Sequence, residues 1–207
     1  MSKAILISVN PKWVVKILNG EKTIEVRKKF PKDYVGWVYI YCCKDIRNGL
    51  YWVDKWVCVN QKNCIPSFRN GKVVARFWCD KVDAYVNGRK WVGDAIGWGI
   101  ENGYEHILPK CCLTDDEIWT YADDLSFYAI HISKLEIFDR PRELSGFYKV
   151  GFNKEIAQAV YIQNKSMRNN RIELIESEYK LTKAPQNWCY IEGDPRRCQI
   201  DISNLKT

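Results

Sequence analysis

The sequence predicts one α+β domain, in which a small barrel-like sheet is flanked by helices and carries an insertion and a C-terminal elaboration. The length of 207 residues suits one large domain rather than two. Hydrophobic residues make up 46% of the chain and aromatic residues 14%, which excludes intrinsic disorder because buried apolar surface can offset the ordering entropy. Several runs are dense in β-branched and aromatic residues, and such runs favour strands.

The N-terminal stretch predicts a strand followed by a helix. Residues 3–9 are rich in Ile and Val, which indicates a strand. Asn10 and Pro11 then supply a helix N-cap and a proline at the first helical position. Apolar side chains recur at helical spacing after them, and Gly20 stands where a left-handed C-terminal cap is usual. We therefore expect a helix over about 11–19.

The next predicted strand, 23–27, alternates polar and apolar residues, so Glu25 and Arg27 share one face. Arg27 can then orient the Glu25 carboxylate, which can accept from an amine or act as a general base. Lys22, in the preceding turn, can contact a phosphate or act as a base or nucleophile if it is desolvated. The structural alternative is a surface lysine beside a Glu–Arg pair worth ~0–1 kcal/mol, and spacing alone slightly favours it.

Further strands are predicted where aromatic and β-branched residues concentrate, at 37–43, 73–82, 127–138 and 188–191. An insertion at about 45–72 separates the first two of these strands, and its turn signals suggest a hairpin of 51–53 with 56–58.

A short acidic helix is predicted between the later strands. Thr114 and Glu117 have capping-box spacing, and the helix should end at about Ala122 with its acidic side chains in solvent. Residues 151–180 look helical or irregular, with an exposed basic loop at 163–171. We expect one domain over 1–150 and an extension over 151–207 that returns a strand, at about 186–192, to the same domain.

The net charge of +7 is concentrated near the N-terminus. Residues 1–36 hold eight basic and three acidic residues, whereas 103–124 hold one lysine and six acidic residues. A concentrated basic region can track phosphates and give a salt-dependent affinity for nucleic acid. A solvated face explains the charge alone equally well.

Other sequence features exclude several classes of protein. The apolar run at 4–9 meets Asn10 and Pro11 before it reaches the length of a signal-peptide core or a membrane span, so we expect a soluble, cytoplasmic protein without membrane contact. The nine cysteines include no C-x-x-C pair, which favours reduced structural thiols over a metal site. The common esterase, P-loop, dinucleotide-binding and zinc-protease motifs are absent, and we expect neither a metal nor a cofactor.

Four more residues carry weaker signals. His131 can line a cleft, although a lone histidine in a strand is more often structural, and His106 has less context. Trp37 and Tyr41 share one strand face and can stack on a base, although aromatic residues at this spacing more often belong to a core.

Residues 20–27, behind the Asn-Pro-capped helix, have the pattern G-x-K-x-x-E-x-R, which resembles the signature of ASCH domains in the PUA-like superfamily. The resemblance extends in order through 71–75, 113–118, 131–133, 141–144 and 184–192, and the last segment looks like the ending of ASCH proteins from bacteria and their phages. It implies a PUA-like small β-barrel with flanking helices, in a superfamily that mostly binds RNA.

The resemblance also implies a cleft lined by Lys22, Glu25 and Arg27 and bordered by Lys12 and Trp13. The first hypothesis is therefore a nucleic-acid-binding protein whose ligand is RNA or a modified nucleoside. In it, the phosphate contacts and the stacking residues would come from the basic and aromatic side chains near this motif, namely Lys12, Lys28, Lys29, Lys32, Trp13 and Trp188.

Some ASCH-like proteins are enzymes, which gives an alternative hypothesis. One branch resembles amidohydrolases of N-acetylated cytidine that use a Lys and a Thr of this strand with a downstream Glu, and another resembles ribonucleases. Here Glu25 stands where that branch has Thr, and Glu101 and Glu105 match the downstream carboxylate by proximity only. If the protein is a hydrolase, Lys22 and Glu25 would be its acid/base pair. A protein-interaction module with a vestigial cleft is a third hypothesis.

Overall fold

The computed structural model describes residues 3–44, 57–60, 63–65, 70–92, 95–96, 103–122, 124–151 and 178–193. The described strands are β1 Lys3–Val9, β2 Ile24–Arg27, β3 Gly36–Cys42, β4 Val57–Asn60, β5 Asn63–Ile65, β6 Val73–Cys79, β7 Val82–Val86, β8 Arg89–Val92, β9 Ala95–Ile96, β10 Phe127–His131, β11 Ser133–Arg142 and β12 Trp188–Glu192. The described helices are α1 Pro11–Leu18, α2 Leu108–Cys111 and α3 Asp115–Tyr121, with single 3₁₀ turns at Glu105–Ile107 and Leu144–Gly146.

The strands form two five-stranded sheets and one two-stranded ribbon. The first sheet has the order β11-β6-β3-β1-β12, the second has the order β2-β10-β7-β8-β9, and β4 pairs with β5 in the ribbon. β1 lies parallel to β3 and antiparallel to β12. The strand near the C-terminus therefore completes the sheet that the first strand begins.

Two of the predicted long strands each divide at a corner between the sheets. The predicted strand 73–82 is β6 followed by the start of β7, and 127–138 is β10 followed by β11. The main-chain N–H of His131 donates to the carbonyl of Lys81 at 3.0 Å, and this bond links the two corners. The expected mixed α+β architecture is present, but the described strands hydrogen-bond as two sheets and do not close into one barrel.

The predicted first helix is confirmed, and local signals explain its ends. The side chain of Asn10 accepts a hydrogen bond from the main-chain N–H of Lys12 at 3.0 Å, and Pro11 occupies the first turn. The turn after the helix contains Gly20 at a φ of +76°, a conformation that costs glycine little. The apolar face of α1 packs on the inner face of the first sheet, together with Ile130 of β10.

The predicted capping box is also present, at the start of α3. The Thr114 hydroxyl accepts from the Glu117 N–H at 3.2 Å, and the Glu117 carboxylate accepts from the Thr114 N–H at 3.0 Å. These two bonds satisfy amide groups that a helix start leaves unpaired. α3 and α2 then pack over one face of the second sheet, which places the acidic helix beside β2.

Other predictions fall partly outside the described residues. The first arm of the predicted hairpin, 51–53, lies outside them, and the ribbon that is described pairs 57–60 with 63–65. The predicted basic loop at 163–171 and most of 151–180 also lie outside them. Within the described part of the chain, no helix is both long and apolar enough to span a membrane.

The cysteines at 42, 43, 79, 111, 112 and 189 are free thiols, as expected. Burial raises the pKa of both Cys42 and Cys79 to about 12, so these thiols are poor nucleophiles at neutral pH. Their environment is that of core residues.

Candidate functional site

A cleft of about 400 Å³ opens between the first helix, the second strand and the acidic helix. Its lining includes Ser8 of β1, Trp13 of α1, Glu25 and Arg27 of β2, and Glu117 and Tyr121 of α3. The signature strand therefore forms one wall, and the two helices form the mouth.

Glu25 lies at the centre of a buried charge cluster on the cleft wall. Its Oε2 is 3.4 Å from Nζ of Lys22, and its Oε1 is 2.9 Å from Nη2 of Arg27. The side chains of Lys22, Glu25 and Arg27 are only 3%, 7% and 10% exposed. The structure thus brings the three predicted signature residues together. They are buried, whereas the structural alternative assumed a surface lysine beside an exposed Glu–Arg pair.

The Lys22 ammonium is bound within the protein. Nζ donates to the carbonyl of Cys111 at 2.6 Å and lies 5.1 Å from the ring centroid of Trp13. The main-chain N–H of Thr23 donates to the carbonyl of Lys110 at 2.8 Å, which fixes the turn against α2. Because its contacts are to the carbonyl, to Glu25 and to the ring, Lys22 is not presented as a free cation to a phosphate.

The Arg27 guanidinium is held from three sides. Its Nη2 donates to the carbonyl of Ser8 at 2.7 Å, and its Nη1 donates to Oδ1 of Asn187 at 3.3 Å. The Asn187 side chain also donates to the carbonyl of Lys29 at 3.3 Å. Arg27 Nε is buried without a partner in the described part of the chain. Asn187 lies in the 184–192 segment of the ASCH resemblance, but no local pattern assigns it a contact with Arg27.

One acidic residue of α3 takes part in the cleft, contrary to the expectation that the acidic side chains of this helix lie in solvent. Glu117 lines the cleft, and its Oε1 is 3.1 Å from Nζ of Lys12 across the mouth. The hydrogen bond from the Thr114 main-chain N–H lowers the pKa of Glu117, and the Lys12 ammonium lowers it further. Lys12 Nζ also lies 4.3 Å from the ring centroid of Trp13. Trp13 is thus in the cleft wall, beside one cation on α1 and another in the turn before β2.

Exposed cations lie next to the cleft where β2 ends. Lys28, Lys29 and Lys32 are all exposed. Nζ of Lys28 is 5.6 Å from the ring centroid of Tyr121, an exposed cleft residue that sequence analysis did not identify. Lys12 is also exposed. The rim is therefore basic where β2 ends, and the acidic helix α3 borders its other side. In the buried wall, Glu25 pairs with both cations.

Trp188 does not line the cleft. Its indole N–H donates to the carbonyl of Lys29 at 2.7 Å, and its ring packs edge-on against Phe30 and Tyr190. These contacts give it a structural use, which is to hold the end of β2 against β12.

The aromatic residues Trp37 and Tyr41 pack in the cluster on the outer face of the first sheet, together with Phe147. The guanidinium of Arg76 lies 4.0 Å from the ring centroid of Trp37. The core interpretation of these two residues is therefore correct.

His131 belongs to a separate cluster around Asp83. Its Nε2 is 2.9 Å from Oδ2 of Asp83, and Lys81 and Lys90 lie at 3.0 and 2.9 Å from the same carboxylate. Burial acts to raise the pKa of Asp83, but the hydrogen bonds from His131, Lys90 and Lys81 outweigh it and hold that pKa well below its usual range. The contact of His131 with Asp83 is therefore structural, as is usual for a lone histidine in a strand.

The remaining candidates are also away from the cleft. Glu105 and His106 are exposed residues of the first 3₁₀ turn, and neither lines the cleft. Glu101 lies outside the described residues. No group of three His, Cys, Asp or Glu side chains in the described ranges is placed to hold a metal ion. The cleft offers carboxylate, ammonium and aromatic groups for its chemistry.

Two sheets that share corners, with a cleft between the first helix and the second strand, define a mixed α+β domain. The crystal structure of ASCH from Zymomonas mobilis matches this fold with a TM-score of 0.52 at 13% identity, over 94% of this chain and 92% of that one. The chain therefore has an ASCH-like fold.

Crystal structures of two variants of the Zymomonas mobilis protein are also similar to this chain. A tyrosine-to-phenylalanine variant has a TM-score of 0.48 at 13% identity, over 95% of each chain. A serine-to-alanine variant has a TM-score of 0.49 at 12% identity, over 94% of this chain and 92% of that one. No family model and no curated protein matches the sequence.

Proposed function

We propose that the cleft is a nucleic-acid-binding site, with RNA as its principal ligand and a modified nucleoside as the smaller ligand that would use the same groups. The observation that carries this proposal is the buried Lys22–Glu25–Arg27 cluster in the wall of a cleft whose rim bears exposed lysines. The ASCH-like fold supports it, since PUA-like domains mostly bind RNA.

In this proposal, the buried wall residues shape the cleft and the exposed rim residues contact phosphates. Lys22 and Arg27 are engaged by carbonyls and by Glu25, so they shape the cleft. The exposed residues Lys28 and Lys29 follow directly on the signature strand and would contact phosphates, together with Lys12 beside Glu117 and the exposed Lys32. Phosphate contacts of this kind release counterions, so affinity should fall steeply as salt rises.

The test is the salt dependence of binding to fluorescently labelled single-stranded RNA and DNA, measured by anisotropy. Each lost phosphate contact on a single strand makes the negative slope of log affinity against log salt shallower by about 0.7, so Lys28→Ala with Lys29→Ala should make it shallower by about 1.4. Lys134→Ala with Lys149→Ala is the matched control, because it removes the same charge from exposed positions that do not line the cleft.

Two results would overturn the proposal. One is the absence of binding to any oligonucleotide at low salt. The other is an equal change of slope in the rim variant and in the control variant, because it would show that net charge alone sets the affinity.

A second function, hydrolysis of N-acylated cytidine or of RNA, is favoured by the 3.4 Å separation of Lys22 and Glu25 in the cleft wall. For an N-acylated cytidine, Glu25 would take a proton from water as its oxygen adds to the acyl carbon. Lys22 would then donate a proton to the departing amine as the C–N bond breaks. Incubation of both substrates with the protein tests this function. Turnover that Glu25→Gln abolishes and Glu136→Gln, outside the cleft lining, leaves intact supports it, and absent or equal turnover overturns it.

A further inference from the structure

We propose that the cleft selects guanine, and that Glu25 reads the base by accepting hydrogen bonds from its ring N–H and its adjacent exocyclic amine. This inference rests on the proposed nucleic-acid-binding function and names the part of the ligand that enters the cleft. The phosphates stay at the rim.

The charges of the cleft lining favour an uncharged group inside it. Lys22 and Arg27 contribute two positive charges to the lining, and Glu25 and Glu117 contribute two negative charges. Lys12 at the mouth adds a third positive charge but is paired with Glu117. Lys22 and Arg27 are both paired with Glu25, so the described interior has no unpaired cation for a phosphate. The excess of positive charge lies outside, on the exposed lysines that follow β2.

The hydrogen-bonding groups of the wall favour a ligand that brings donors. Lys22 donates to the carbonyl of Cys111, and Arg27 donates to Ser8 and Asn187, so these cations are already committed. Each oxygen of Glu25 takes part in one ion pair, whereas a carboxylate offers about four lone-pair sites in all. Acceptor capacity on Glu25 therefore remains for a group in the cleft.

Among the four RNA bases, only guanine presents two donors side by side, the ring N–H and the exocyclic amine. Cytosine and adenine place a ring acceptor beside their amine, so one carboxylate oxygen would face a lone pair. Uracil has a single N–H between two carbonyls. A carboxylate with both oxygens in charge-assisted hydrogen bonds thus matches guanine and is repelled by the other edges.

Aromatic side chains supply the remaining contact that a base requires. Tyr121 lines the cleft and is 36% exposed, and Trp13 lines it from the opposing helix. Base stacking on such rings is worth about 1–3 kcal/mol and does not depend on sequence. Because Nζ of Lys28 lies 5.6 Å from the Tyr121 ring, a base against this ring would place its phosphate beside an exposed lysine.

The test compares single-stranded oligouridines that carry one central guanine, hypoxanthine, adenine or cytosine. Hypoxanthine keeps the ring N–H of guanine and lacks only the exocyclic amine. We expect the guanine oligonucleotide to bind wild-type protein about tenfold more tightly than each of the others, as a good bidentate contact allows. Glu25→Gln should abolish this preference, because its amide offers only one acceptor oxygen, while Glu136→Gln, which changes an exposed carboxylate outside the cleft lining, should retain it.

The outcomes separate this inference from the proposed function. Salt-dependent binding with equal affinity for guanine and hypoxanthine overturns the inference that the cleft selects guanine. It leaves the proposed nucleic-acid-binding function intact. No binding to any of the oligonucleotides overturns both. If Glu25→Gln does not fold, as judged by circular dichroism, the comparison of guanine with hypoxanthine on the wild-type protein decides the question.

Discussion

Replacing Glu25 by glutamine should destabilise the protein far more than a surface change of the same kind. The substitution keeps the side-chain shape and removes the negative charge that faces both Lys22 and Arg27. Removing one partner of a buried ion pair costs about 3–5 kcal/mol, because it leaves an uncompensated buried charge. The two cations keep their carbonyl partners, so we expect a loss near 3 kcal/mol.

Thermal and urea unfolding, followed by circular dichroism, measure this loss. For a chain of this size 1 kcal/mol corresponds to about 2–4 °C, so Tm should fall by about 6–12 °C. Glu117→Gln is the matched control: it breaks an exposed pair with Lys12, and such pairs contribute about 0–1 kcal/mol. Equal, small losses for both variants would refute the assignment of a tightly coupled buried cluster.

A second substitution, at Lys22, tests whether the lost stability of Glu25→Gln comes from an unpaired cation. Adding Lys22→Met to Glu25→Gln removes one of the two unpaired cations, so the double variant should regain part of the lost stability. The two side chains share one ion pair and one cleft wall, so their effects should not be additive. A double variant whose loss equals the sum of the two single losses would show that Lys22 and Glu25 act independently.

Three further predictions concern residues outside the charge cluster. Asp83→Asn should flatten the acid limb of the stability curve measured by urea unfolding. The folded pKa of Asp83 is lowered, so its contribution is present above the unfolded pKa of about 4 and lost as pH falls. Asn187→Ala should weaken RNA binding with little change in salt slope, because it removes one of the contacts that orient the Arg27 guanidinium and removes no charge. Iodoacetamide at pH 8 should leave Cys42 and Cys79 unlabelled in the folded protein, since a pKa of about 12 leaves little thiolate.

Local elements of the fold could be predicted because their signals are short-range. The Asn10 cap and Pro11 define the start of α1, and the Thr114 capping box defines the start of α3. Strand alternation also placed Glu25 and Arg27 on one face, and the structure joins them at 2.9 Å. In each case the determining atoms lie within a few residues of one another.

Long-range features could not be predicted in the same way. Asn187 contacts Arg27 across 160 residues of sequence, and Lys12 contacts Glu117 across 105. Such pairs depend on which strands become neighbours, and no residue pattern near either partner records that. Trp188 shows the opposite error. Its position in a segment that resembles ASCH proteins predicted a place in the cleft, whereas its ring packs against Phe30.

The corners between the sheets were missed for a related reason. Strand-favouring residues dominate 73–82 and 127–138, and the short polar break at Asp80 and Lys81 does not by itself signal a change of sheet. The change occurs because the pairing partners differ along each run: β10 pairs with β2 and β7, whereas β11 pairs with β6. Partner choice is a property of the assembled fold.

The central claim, that nucleic acid binds in the cleft, is tested most directly by photocrosslinking. A single-stranded RNA that contains 4-thiouridine beside guanine is irradiated with the protein, and the crosslinked peptides are identified by mass spectrometry. If RNA binds in the cleft, we expect crosslinks at its aromatic residues, Trp13 and Tyr121. Crosslinks confined to Trp37 and its neighbours on the outer face of the first sheet would contradict the claim.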